Sequence, residues 1–101
     1  MNTLVRTAHF DEWLSNLKDL KAKARIIARI TSAGFGNFGD CGPVGQGVSE
    51  LRIDFGPGYR VYYVRTGKTI YYLLAGGDKS TQKKDIVLAK KMAKELKNAT
   101  E

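Results

Sequence analysis

The chain has 101 residues, 43% of them hydrophobic and 27% charged, so we expect a single globular domain over residues 1–101. The absence of a long apolar run and of a signal-peptide core excludes a membrane protein, and the single cysteine, Cys41, favours the cytoplasm. Seventeen Lys and Arg against ten Asp and Glu give a net charge of +7, which suits a polyanionic partner such as nucleic acid or an acidic protein more than a merely solubilising surface.

The first third of the chain predicts a strand followed by two helices. Adjacent apolar residues indicate a short strand within residues 2–6. From Phe10 to Leu20, apolar side chains recur at i, i+3, i+4, i+7 and i+10, which is the spacing of one helical face. A second helix is predicted from about Ala22 to Ala33, and Gly34 marks its end. Because the connector is short, we expect an antiparallel helical hairpin.

A glycine-rich segment separates these helices from the rest of the chain. Residues 34–47 hold six glycines and one proline, a density at which we expect no regular element. The segment is therefore predicted to be one long loop. It either covers a site as a lid or only connects the helices to a sheet.

The following segment predicts strands at residues 48–55, 59–65 and 69–75. The short turns between them are typical of an antiparallel meander. In the first strand, the apolar residues alternate onto one face, so the opposite face is predicted to look outward. The outward set is Glu50, Arg52 and Asp54.

The last segment of the chain predicts a basic helix. Helical periodicity returns from about Lys83, and Ser80 or Thr81 can cap this helix. The element order is then strand, two helices, three strands and helix. We therefore predict an α+β fold in which the N-terminal strand and a helical hairpin pack on an antiparallel β-meander, with a C-terminal helix.

Several kinds of active site are excluded by composition. His9 is the only histidine, so neither a Ser-His-Asp triad nor a pair of catalytic histidines can be assembled around it. One His and one Cys on distant segments do not form a metal site. No glycine cluster ends in the GK[ST] of a phosphate-binding loop. We therefore predict neither a metal nor a cofactor.

Basic and aromatic residues remain as candidates for function. Arg52 and Arg60 lie on neighbouring predicted strands and Lys79 lies just beyond the third, so all three can converge on one rim of the sheet. Guanidinium and ammonium groups suit phosphate, and tyrosines beside them can stack unpaired RNA bases. The alternative for a single arginine such as Arg52 is a salt bridge with Glu50 or Asp54, and the alternative for at least half of the tyrosines is core packing.

The chain resembles the RelE/ParE superfamily of toxins from toxin–antitoxin modules, and more closely its HigB-like, "addiction module killer" branch. The resemblance is carried by ELRIDFGPGYRVYY at residues 50–63 and LLAGGDKSTQKKDI at residues 73–86. F-x-x-W-L-x-x-L at residues 10–17 and GNFGD at residues 36–40 add to it. It extends from about residue 3 to residue 95, and the combination is more specific than each motif alone.

The resemblance implies a compact fold with helices packed on an antiparallel sheet. It also implies a cytoplasmic toxin that is held inactive by a cognate helix-turn-helix antitoxin, and a toxin–antitoxin complex that binds its own operator DNA. Many toxins of the RelE side cut mRNA in the ribosomal A site, so ribosome and mRNA are expected partners. The chain lacks the C-terminal His-Arg-x-x-x-Tyr segment of that pattern and has no tyrosine after Tyr72, which leaves the general base unassigned.

The resemblance also implies roles for particular residues. Arg52 and Arg60 match the sheet arginines that act on the RNA phosphate, and Lys79 lies where the family places a basic group after the last core strand. We therefore expect a metal-independent, ribosome-dependent mRNA endoribonuclease with these three catalytic residues. The alternatives are a ParE-like, non-enzymatic inhibitor of DNA gyrase and a nucleic-acid-binding module without cleavage activity. The expected RNA-binding residues are Tyr59, Tyr62, Lys83 and Lys84.

Overall fold

The structure is a computed structural model that describes residues 1–100. The elements are β1 (Thr3–Arg6), α1 (Ala8–Asn16), α2 (Leu20–Gly34), β2 (Cys41–Gly45), β3 (Val48–Ile53), β4 (Tyr59–Thr66), β5 (Ile70–Asp78), a 3₁₀ turn (Lys79–Thr81) and α3 (Gln82–Thr100). The strands form one sheet in the order β1-β5-β4-β3-β2, in which β1 runs parallel to β5 and all other neighbours are antiparallel. The predicted α+β architecture is confirmed, and the N-terminal strand joins the sheet at its edge.

Short polar side chains fix where the first two helices begin. Thr7 caps α1, because its hydroxyl oxygen accepts a hydrogen bond from the Phe10 amide at 3.2 Å. The same hydroxyl donates to the Leu73 carbonyl of β5 at 2.8 Å, which ties the start of α1 to the sheet. Asp19 caps α2 by accepting from the amides of the first turn. The predicted end of α2 at Gly34 is confirmed.

The prediction that residues 34–47 form no regular element was wrong. Cys41–Gly45 is an edge strand that pairs antiparallel with β3. Most of the glycines occupy turns at either end of this strand, where their φ angles are positive, so they do not interrupt it. Pro43 is compatible with the strand because it lies at the edge of the sheet, where a missing amide is tolerated.

Helices cover the sheet on both faces. On the face towards α1 and α2, large apolar side chains pack against one another, and on the face towards α3 the helix contributes small alanines. We call these the α1/α2 face and the α3 face. The sheet part of the first is Leu51, Ile53, Tyr59, Val61, Tyr63 and Leu73, and that of the second is Val48, Tyr62, Leu74 and Ala75.

The prediction that one face of β3 looks outward was wrong, because α3 covers that face. Glu50 was expected to face outward, but it is only 4% exposed because it points towards α3. Arg52 on the same face is half-buried, and Asp54 is exposed beyond the end of the strand. Strand β5 also runs further than predicted, because Gly76 and Gly77 pair with Val61 and Arg60 of β4. Side chains of α1 and α3 lie directly against both glycines.

Candidate functional site

Two arginines lie directly opposite each other in the sheet. Arg52 of β3 and Arg60 of β4 are register partners, so both project from the α3 face. Like charges in this position destabilise a strand pair unless something neutralises them. Glu50 does so, because its carboxylate lies 2.9 Å from Arg52 Nε and 3.8 Å from Arg60 Nε. One carboxylate therefore holds both guanidinium groups.

Glu50 is held from a further side by helix α3. Gln82, the first residue of the helix, donates a hydrogen bond from Nε2 to Glu50 Oε1 at 3.2 Å. A buried carboxylate is tolerated only when it is paired and hydrogen-bonded, and Glu50 meets both conditions. We call Glu50, Arg52, Arg60 and Gln82 the Glu50 cluster.

The solvent side of the cluster is formed by Arg52 and Asp40. Arg52 Nη1 donates to Asp40 Oδ1 at 3.0 Å, and the two side chains are 36% and 63% exposed. Hydrogen bonds to Asp40 and then to Glu50 raise the pKa of Arg52 above its ordinary value, so the guanidinium stays charged. Because Asp40 is exposed, another anion can take its place on Arg52.

Arg60 lies deeper than Arg52 and contacts the turn before β4. Its side chain is 10% exposed, and its Nη1 donates to the carbonyls of Gly58 at 3.3 Å and Tyr59 at 3.0 Å. Within residues 1–100, Arg60 Nε is buried and has no hydrogen-bond partner. Arg60 therefore adds positive charge to the Glu50 cluster from a buried position.

Gly58 contacts both Lys79 and Arg60. The stem of Lys79 crosses Gly58 so closely that a Cβ at this position would lie 2.9 Å from Lys79 Cε. Gly58 also has a φ of +81°, which favours glycine for a second reason. The three predicted catalytic residues are therefore connected: Arg52 opposes Arg60, and Arg60 and Lys79 share Gly58.

Lys79 lines a groove at the start of α3. Asp78 caps the turn there by accepting a hydrogen bond from the Ser80 amide at 2.8 Å, and the Ser80 hydroxyl lowers the pKa of Asp78. The groove has a volume of about 440 Å³. Lys83 and Lys84, which were predicted to bind RNA, also line it. The amino end of a helix adds positive potential to these lysines. We call this the Lys79 groove.

The predicted stacking role of Tyr59 and Tyr62 does not agree with their positions. Tyr59 is 8% exposed and lies on the α1/α2 face, edge-on to Trp13 with ring centroids 6.3 Å apart. Tyr62 is 0% exposed beneath α3, and burial raises its pKa to about 12. Since neither ring is open to a base, we assign both to packing.

The alternative of a salt bridge between Arg52 and Glu50 is confirmed, at 2.9 Å, although Glu50 was expected to face outward. Sequence reasoning gave no role to Gln82, Gly58 and Asp40. The Glu-x-Arg spacing was a usable signal, because residues i and i+2 share a face of a strand. The glycine in GPGYR was another, since a glycine beside an arginine allows a close approach of a second side chain.

Two negative findings apply to residues 1–100. No helix among them combines the length and the apolar character needed to cross a membrane. In the same part of the chain, no three His, Cys, Asp or Glu side chains come together as a possible metal site.

The architecture is an α+β fold compatible with a RelE-like protein. Its sheet carries arginines that are paired with the Glu50 carboxylate. The family model of the phage-derived protein Gp49-like (DUF891) matches residues 12–97, and the chain belongs to this family, which is associated with RelE-like toxins of toxin–antitoxin systems. It is also similar to an uncharacterized protein of Haemophilus influenzae, with 58% identity over 90 residues that cover 89% of this chain and 91% of the relative. The narrower HigB-like branch stays a prediction.

Proposed function

We propose that this chain is the toxin of a type II toxin–antitoxin module and acts as a ribosome-dependent mRNA endoribonuclease. Membership of a toxin-associated family supports the toxin assignment. The ribonuclease assignment is supported by two contacts: Arg52 and Arg60 are register partners, and Lys79, which lines the Lys79 groove, crosses Gly58, whose carbonyl accepts a hydrogen bond from Arg60. Such a cluster suits an RNA phosphate, because it combines a planar guanidinium with compact ammonium groups.

In the proposed reaction, the 2′-OH of one nucleotide attacks its own 3′-phosphate. A bond forms between the 2′ oxygen and phosphorus, the bond to the 5′ oxygen of the next nucleotide breaks, and the products carry a 2′,3′-cyclic phosphate and a 5′-OH. Negative charge builds on the phosphate oxygens in the transition state. Arg52 and Lys79 contact these oxygens and stabilise that charge. Arg60 acts as a positioning residue, because it lies below them and holds the Gly58 turn.

The phosphate reaches Arg52 by replacing Asp40. The ion pair between Arg52 and Asp40 is exposed, and pairs of this kind contribute only about 0–1 kcal/mol. A phosphodiester carries the same single negative charge as Asp40 and offers Arg52 two oxygens, so it can accept the hydrogen bond that Asp40 accepts. The further charge that builds on it in the transition state then strengthens this contact. Glu50 stays in place and keeps the guanidinium oriented.

Deprotonation of the 2′-OH needs a positioned acceptor. Asp78 lies next to Lys79, but its lowered pKa makes it a weak base. We therefore infer that the ribosome completes the acid–base part of the site. This is a physical reason for the cleavage to depend on the ribosome.

The proposal includes three partners in the cytoplasm: a cognate helix-turn-helix antitoxin, ribosome-bound mRNA, and operator DNA bound through the toxin–antitoxin complex. The net charge of +7 supports polyanionic partners. The ParE-like alternative, inhibition of DNA gyrase without catalysis, uses the same basic surface for protein contact. The two activities leave different products in the cell.

Expression in bacteria followed by mapping of mRNA 5′ ends tests the proposal. The wild-type chain should arrest growth and create new 5′ ends in codon phase. Lys79→Ala should lower the yield of these ends by about 100-fold, whereas Lys68→Ala, a matched change at an exposed lysine in the β4–β5 turn, should act like wild type. Growth arrest with intact mRNA and double-strand DNA breaks would instead favour gyrase inhibition.

A further inference from the structure

A second groove lies at the other end of α3, between this helix, the end of β4 and the turn between β2 and β3. Its volume is about 680 Å³, larger than that of the Lys79 groove. We call its apolar lining residues the floor and its cations the rim; Lys90 is half-buried and the other rim cations are exposed. The floor is Val64, Ala93 and Leu96, and the rim includes Arg65, Lys90, Lys94 and Lys97.

The rim cations are arranged as one like-charged row. Lys90, Lys94 and Lys97 follow one another at i, i+4 and i+7, so they share a face of α3. Like charges at this spacing repel and destabilise the helix by a few tenths of a kcal/mol per pair. The side chain of Lys90 also lies close to Gly45, so that a Cβ there would be 3.2 Å from its Nζ. Lys90 therefore joins this row of lysines to the end of β2.

The rim cations and the arginines of the Glu50 cluster differ in whether they form ion pairs. Arg52 and Arg60 are each paired with a carboxylate. In the part of the chain that the structure describes, Arg65, Lys90 and Lys94 form no ion pair. No carboxylate of residues 1–100 lines this groove. An anionic partner would thus relieve the repulsion among Arg65, Lys90 and Lys94.

The chemistry of the floor distinguishes between possible anions. Proteins that bind single-stranded RNA without sequence preference typically stack its bases on aromatic side chains, and the groove has no aromatic side chain among its described lining residues. An apolar floor under a cationic rim instead matches a segment with apolar side chains on one side and acidic ones on the other. We propose that this groove binds an acidic, amphipathic helical segment of a partner protein.

The proposed docking groove is separate from the candidate ribonuclease surface. Lys84 and Lys94 lie ten residues apart on α3, which places them about 15 Å from each other along the helix. A protein segment can therefore occupy one groove while the other stays open. The inference does not depend on the ribonuclease activity and goes beyond it.

A fluorescent peptide of about 14 residues, roughly four helical turns, is a suitable probe. It carries leucines at helical spacing on one side and glutamates elsewhere, and its binding to the full chain is followed by fluorescence anisotropy. We expect saturable binding, and weaker binding of polyglutamate of the same length, because polyglutamate cannot fill the apolar floor. A single-stranded uridine RNA of similar length serves as the third probe.

Charge-matched variants locate the binding. Lys90→Glu combined with Lys94→Glu should weaken binding of the leucine–glutamate peptide by at least about tenfold. Lys83→Glu combined with Lys84→Glu alters the net charge equally at the other end of α3 and should change the Kd by less than about twofold. Thermal unfolding followed by circular dichroism checks that both variants fold.

Three outcomes would overturn the proposal. One is the absence of peptide binding to the wild-type chain. Another is an equal loss of binding in both double variants, which would mean attraction by net charge alone. The third is loss of RNA binding, and not of peptide binding, in Lys90→Glu with Lys94→Glu, because the groove would then be a nucleic-acid site.

Discussion

The α1/α2 face and the α3 face are built from the same strands but hold different chemistry. Leu51 points into the first, where it is 0% exposed among aromatic and aliphatic side chains. Its neighbour Glu50 points into the second, where it is 4% exposed and carries two arginines. The first face stabilises the fold through apolar burial, and the second places charge beneath the candidate site. Replacing residues on either face tests this division.

The largest effect is expected for Glu50→Ala. It leaves Arg52 and Arg60 opposed without a carboxylate between them, and breaking a buried ion pair on one side destabilises by about 3–5 kcal/mol. Urea denaturation measures the loss. Adding Arg60→Met should recover much of it, because the uncompensated buried charge is removed. A Glu50→Ala chain with unchanged stability would contradict a structural role for this carboxylate.

A loss of about 3 kcal/mol is expected for Leu51→Ala, on the opposite face of the same strand. Here the cause is a cavity in the apolar core, so Arg60→Met should not rescue it and the two effects should add. The same denaturation experiment checks this. Rescue by Arg60→Met would show that the two faces are not energetically separate.

Tyr62 gives a prediction for alkaline pH. Its pKa is about 12 in the folded chain, against 10.0 ordinarily, because burial disfavours the phenolate. The unfolded chain therefore ionises first. Stability is fully present below pH 10 and falls as the pH rises towards 12, by up to about 1.4 kcal/mol per pH unit.

Tyr62→Phe should reduce this alkaline decline without abolishing it, because burial also raises the pKa of Tyr63, which remains. Stability near pH 7 should be nearly unchanged. The phenol OH is buried and, within residues 1–100, has no hydrogen-bond partner, so its removal breaks no contact. Thermal unfolding at a series of pH values makes the comparison. A wild-type-like slope in the variant would mean that the ring is not buried as described.

The smallest effect is expected for Asp40→Asn, at the solvent edge of the α3 face. The change weakens the ion pair on Arg52, so phosphate meets less competition. Exposed pairs contribute up to about 1 kcal/mol, which corresponds to a rise of about twofold to fivefold in kcat/KM for mRNA cleavage on ribosomes. Asp54→Asn, at an exposed carboxylate without an ion pair among residues 1–100, is the control. A decrease in Asp40→Asn would mean that Asp40 takes part in the reaction.

The sequence predicted more of the α1/α2 face than of the α3 face. The helical stripe from Phe10 and the alternation of β3 and β4 identify the apolar core, because periodicity reports which side chains share a face. Periodicity does not report whether the other face is covered. The sequence pattern therefore predicted that Glu50 faces solvent. For the same reason it did not reveal that Tyr62 is buried.

The strand pattern and the family resemblance together predicted Arg52, Arg60 and Lys79 as site residues, and their catalytic role stays a prediction. The structure makes Arg52 and Arg60 register partners and places the stem of Lys79 against Gly58. Of the groups that hold these cations, only Glu50 was anticipated, as a salt-bridge partner of Arg52. The contact of Lys79 with Gly58 depends on a tertiary approach that no local pattern encodes. Strand β2 was missed because the glycine density was interpreted as one long loop, whereas most of these glycines form the turns that bound the strand.

The most direct test of the central claim is the rate of mRNA cleavage on purified ribosomes by the wild-type chain and by Arg52→Gln. Wild type should cleave and leave a 2′,3′-cyclic phosphate, and it should not cleave an mRNA with a 2′-deoxynucleotide at the cut position. Arg52→Gln should be slower by about 100-fold, because a transition-state contact is lost. Cleavage of the deoxy-substituted mRNA, or an Arg52→Gln chain as fast as wild type, would contradict the account.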